Sequence, residues 1–94
     1  MTNTEIAALR KSLNLSMHDF GKLFGVTAPA VIKWEQGFSR PNDMIETSMV
    51  HLKNKMDTAR ATGRENEELE RLKVILITGG IAVFLLWLWN QTRD

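Results

Sequence analysis

Several things are missing from this chain of 94 residues, and each absence narrows what it can be. There is no cysteine, which excludes a disulfide framework and a thiolate metal site. Histidine occurs twice, at His18 and His51, on separate predicted helices. Serine, aspartate and glutamate are scattered with no triad spacing. No catalytic residue, metal site or cofactor is therefore assigned, and His18, at a helix start, reads as a surface residue. Charge of one sign is also lacking, because 12 Lys+Arg stand against 11 Asp+Glu. The N-terminus is polar and its apolar residues keep a helical period, so it does not read as a signal peptide.

Helical spacing and helix punctuation are what the chain does have. Thr4 is a candidate cap for a first helix to about Leu13, with Ile6, Leu9 and Leu13 inward. Ser16 can cap a second helix, with Asp19 as its capping-box partner and Phe20, Leu23 and Phe24 along one side. Gly25 permits a sharp helix end, and Val26 turns inward across the bend. Thr27 then caps a third helix with Pro29 in its first turn, where a missing N–H costs nothing. Val31 and Trp34 share its inner face, and Gly21 clears the crossing of the two helices. Gly37 ends the third helix, and Asn42 or Asp43 starts a fourth bearing Ile45, Met49 and Leu52. Two short helices joined by a glycine-containing turn predict a helix-turn-helix. The expected fold class is all-α: a small bundle of four to five helices over residues 1–56, then a separate C-terminal hydrophobic helix.

Phe20, Gly21, Phe24, Gly25, Val26, Val31 and Trp34 resemble the apolar and small positions of phage-repressor/Cro-like helix-turn-helix domains. The run Trp34-Glu35-Gln36-Gly37-Phe38-Ser39-Arg40-Pro41 is similar to the ending of their recognition helix. The resemblance covers roughly residues 4–52. It implies double-stranded DNA as partner, with the outward residues Ala28, Pro29, Ile32 and Lys33 of the third helix, and Thr27 at its start, facing the major groove. Lys33 can donate to guanine, whereas Ala28, Pro29 and Ile32 offer only contact with thymine methyls. Phosphate contacts would come from Thr27, Arg40, Ser16, Met17 and Lys22. The resemblance further implies a largely buried ion pair between Arg10 and Glu35. An alternative stays open: the apolar outward face, with Phe38, could serve a protein partner on a reused scaffold.

Residues 57–73 mix Asp57, Glu65, Glu67, Glu68 and Glu70 with Arg60, Arg64, Arg71 and Lys73, which reads as a solvated connector turning helical near Glu65. Gly63 interrupts it. From Val74 to Trp89 no charge appears in sixteen residues, about 24 Å of helix. Asn90, Gln91 and Thr92 lengthen the uncharged stretch, and Lys73 and Arg93 flank it. Leu69, Leu72, Leu76, Gly79, Val83 and Leu86 follow the seam spacing of a dimerisation helix. Apolar residues off that seam favour a single membrane span for residues 74–94. With basic residues mostly before the span, the helix-turn-helix would stay in the cytoplasm, anchored to the inner membrane, as a homodimer.

Overall fold

A computed structural model describes residues 1–90, which form six α-helices and, among the described residues, no strand. They are α1 (Asn3–Ser12), α2 (Met17–Leu23), α3 (Ala28–Gln36), α4 (Asp43–Ala61), α5 (Glu65–Thr78) and α6 (Gly80–Asn90). The expected extension through Gln91, Thr92 and Arg93 lies outside the described residues.

Helix starts follow short polar side chains. The cap of α1 is Thr2, two residues before the expected Thr4, because Thr2 and Glu5 form a reciprocal capping box that Thr4 has no partner to make. The bond from Thr2 N–H holds the Glu5 carboxyl below its usual range. Ser16 Oγ accepts from Asp19 N–H at the start of α2, and Asn42 Oδ1 accepts from Ile45 N–H at the start of α4. Gly37 ends α3 in the left-handed region, with φ 80°.

The core contains the expected Ile6, Leu9, Leu13, Phe20, Leu23, Phe24, Val31, Trp34 and Met49, with Val26 and Ile45 only partly covered. It also contains side chains from the other half of the chain. α4 does not stop near residue 56 but runs to Ala61, and Met56 and Ala59 are buried on it. Gly63 makes the turn at φ 74°, and α5 returns along α4 with Leu72 and Ile75 buried. Lys55 and Glu68 meet between these helices at 4.0 Å. Burial pushes the Lys55 ammonium below its usual pKa, which the Glu68 charge only partly offsets.

The hydrophobic C-terminal segment is neither one helix nor separate. It breaks at Gly79–Gly80, where Gly80 takes φ 64°. A side chain at Gly79 would run into Cβ and Cγ2 of Val83, so the glycine pair permits both the bend and the close return of α6. α6 then packs on α2 and α4. Phe84 and Leu88 are fully buried, and Phe84 meets Phe24 edge-on at 5.6 Å between centroids, while Phe24 meets Phe20 at 5.1 Å. Trp89 lies against His51 at 4.3 Å, and Lys55 Nζ sits 4.7 Å from the Trp87 ring. Among the described residues, no helix is long and apolar enough to cross a membrane. The all-round apolarity of residues 74–89 has a different source: one side of α5 and of α6 completes the core of the helix-turn-helix half.

Candidate nucleic-acid interface

The α2–α3 unit is fixed by backbone as much as by side chains. Gly21 C=O accepts from both Phe24 N–H and Val26 N–H, at 3.0 Å each, which closes the turn. A Cβ at Gly21 would lie 2.7 Å from Val26 O, a backbone atom that cannot give way cheaply. Gly21→Ala should therefore cost about 1–3 kcal/mol through overpacking. An unchanged thermal midpoint would remove the close-approach argument.

α3 presents two faces. Val31 and Trp34 are buried against the rest of the domain, while Pro29, Ile32 and Lys33 are exposed and Ala28 is half-buried. Thr27 stands at its start with no side-chain cap hydrogen bond, so its hydroxyl is not committed to the helix. Lys33 makes no ion pair among the described residues. Arg40 is exposed in the loop after α3, and its charge helps hold the Glu46 carboxyl below its usual range, after the larger effect of the Met1 ammonium that pairs with Glu46.

Arg10 locks the back of this unit. Its Nε and Nη2 donate to the two carboxylate oxygens of Glu35 at 2.6 and 3.1 Å, and Nη1 donates to Leu15 C=O at 3.1 Å. The pair joins α1 to the last turn of α3 with side chains only 13% and 9% exposed. The hydrogen bond to Glu35 raises the Arg10 pKa above its ordinary value.

The expected phosphate contacts are not all equally placed. Ser16 Oγ is occupied at the start of α2, and Met17 is partly buried against the core. Lys22 Nζ donates to Leu76 C=O at 3.3 Å. That carbonyl lies in the last turn of α5, which ends at the Gly79–Gly80 break and has no basic residue of its own. A lysine of α2 thus supplies the cation that favours a helix C-terminus. Nothing local in the sequence signals this link, because Lys22 and Leu76 meet only when the tail folds back. Gln36, exposed one turn beyond Ile32 and Lys33, is an amide on the same side of α3 that the sequence reading left out.

Residues 6–44 match a family model described as helix-turn-helix. The matched stretch is similar to helix-turn-helix domains of the phage-repressor/Cro-like kind and supports that resemblance. That family is one of DNA-binding domains and is generally non-enzymatic. No curated protein and no solved structure matches the chain. The matched span takes in α1, α2, α3 and the first residues of α4, so the domain's scaffold and its outward α3 face both fall inside it. α5 and α6 lie outside it.

Proposed function

We propose that this protein is a DNA-binding transcriptional regulator that places the outer face of α3 in the major groove. The observation that carries the reading is an exposed α3 edge of Pro29, Ile32 and Lys33 on a helix whose opposite edge is locked by Trp34 and by the Arg10–Glu35 pair. A rigidly held helix is what base readout requires. Lys33 donates to guanine, Ile32 and Pro29 touch thymine methyls, Gln36 adds an amide, and Thr27 and Arg40 reach phosphate. A symmetric site is read by two copies whose third helices lie about 34 Å apart. DNA of the cytoplasm or nucleoid is the natural target. A membrane tether is left out of the reading, because Phe84 and Leu88, which would face lipid, fill the protein core instead.

Lys33→Ala should cost roughly 1–3 kcal/mol and relax preference at one guanine, whereas Arg40→Ala should weaken all duplexes about equally. Only seven basic residues against five acidic ones lie in residues 1–56, so the dependence of affinity on salt should be shallow. Gel-shift titrations of the full chain on random-sequence duplex, at low and moderate salt, check both. Failure to bind any duplex in a salt-dependent way would sink the DNA reading.

A second reading has one observation behind it. Phe38, 78% exposed, stands just after α3 and extends the apolar edge of Pro29 and Ile32. Such a surface suits a protein partner, and loss of duplex binding with retained stability would favour that reading.

A further inference from the structure

We infer that the cleft between α4 and the start of α5 binds a small zwitterion of the amino-acid class. The cleft measures about 450 Å³, within the range of small-molecule sites. His51, Asn54, Lys55 and Thr58 line it from α4, and Arg64 and Glu68 line it from the other side. All six lie outside the matched residues 6–44, and the DNA reading uses none of them.

Glu68 lacks what a buried polar group needs. The residue is 3% exposed, and its Oε2 is buried with no hydrogen-bond partner among the described residues. The Lys55 ammonium stands 4.0 Å from that oxygen, close enough to feel its charge and too far to donate a hydrogen bond. Leaving a buried carboxylate oxygen in this way costs free energy, so its retention calls for a functional explanation. His51 Nε2, from the same lining, is likewise buried without a partner, with its ring held against Trp89.

The charges of the lining choose the ligand. Glu68 offers an acceptor to an ammonium group and repels a plain anion. Arg64 is exposed at the rim and makes no ion pair among the described residues. Its guanidinium can therefore take a carboxylate with two parallel hydrogen bonds. Burial first, and then the Arg71 and Arg64 charges, push the Lys55 ammonium below its usual pKa against the pull of Glu68. A plain amine is repelled at that end. A molecule carrying both charges satisfies both, with its ammonium on Glu68 Oε2 and its carboxylate on Arg64. Asn54 and Thr58 then offer an amide and a hydroxyl to whatever else the ligand carries.

Thermal denaturation of the full chain with each standard amino acid in turn, at about 10 mM, tests this site. At least one should raise the midpoint, whereas acetate and methylammonium at the same concentration should not. Arg64→Gln, at an exposed position, should raise the calorimetric Kd of that amino acid by about 10-fold or more while leaving the midpoint of the unliganded chain unchanged. Glu68→Gln, close in shape but without the charge, should weaken binding by a similar factor. If that variant fails to fold, Arg64→Gln still decides. A panel in which no amino acid moves the midpoint overturns the inference, and so does binding that Arg64→Gln leaves intact. A shift of equal size with acetate or with methylammonium would make this a site for a single charge and also overturn it. The site and the DNA reading fail separately. An amino acid bound by a chain that shifts no duplex keeps the site and loses the DNA reading, whereas duplex binding with a silent panel does the reverse.

Discussion

Phe84→Ala should lower the unfolding free energy of the whole chain by about 3–5 kcal/mol, the range for emptying a buried aromatic site. Phe84 is fully buried and completes a row of rings with Phe24 and Phe20, so its loss leaves a cavity directly behind α2. Against a total stability of about 5–15 kcal/mol for a domain, that is a large share. Urea unfolding followed by tryptophan fluorescence gives the number, because Trp34 reports the first half and Trp87 and Trp89 the second. A single transition at lower urea is the expected result. If α6 were an independent helix, in lipid or in water, the substitution would leave the Trp34 transition where it was. That outcome would overturn the fold-back.

Glu35→Ala is the second large effect. It would leave the Arg10 guanidinium, 13% exposed, with only the Leu15 carbonyl as partner. Removing one side of a buried pair costs about 3–5 kcal/mol because the remaining charge is stranded. Glu46→Ala should cost much less, since Glu46 is 37% exposed and pairs only with the chain's own ammonium. Replacing both Arg10 and Glu35 with apolar residues of similar volume should recover much of the loss, since no buried charge is then left alone. Equal thermal midpoints for Glu35→Ala and Glu46→Ala would show that the pair carries no structural weight.

The helix-turn-helix half was legible because its boundaries are written in local chemistry. Ser16 and Asn42 act as caps within three residues of themselves, Gly25 and Gly37 take positive φ where helices end, and apolar spacing marks the inner faces. Thr4 misled because two threonines stand near the start and only Thr2 has Glu5 three residues on. The tail was harder for a physical reason. A segment apolar on all sides is equally suited to lipid, to a larger assembly or to a core, and periodicity cannot choose among them. Heptad spacing marked Leu69, Leu72 and Leu76 for a seam; α5 does bury Leu72, but together with Glu68 and Ile75, and it leaves Leu69 and Leu76 only partly covered, because α5 packs on α4 and α6 at once. The deciding feature, the Gly79–Gly80 break, was visible as letters but not as geometry. For the α3 edge, exposure of Pro29, Ile32 and Lys33 followed from the inward turn of Val31 and Trp34. The engagement of Lys22 by Leu76 did not, since it joins residues far apart in the chain.

The return of α6 onto α2 also sets the order in which the molecule can form. Phe24 lies in the first third of the sequence and Phe84 close to its end, so their contact closes a long loop before it yields any stabilisation. During synthesis α1 to α4 emerge first, and the side of Phe24 that Phe84 later covers is then open, while Phe20 already lies against its other side. The helix-turn-helix half is therefore expected to reach its final packing only after the tail has been delivered, and a nascent chain halted before Phe84 should present an open apolar site on α2.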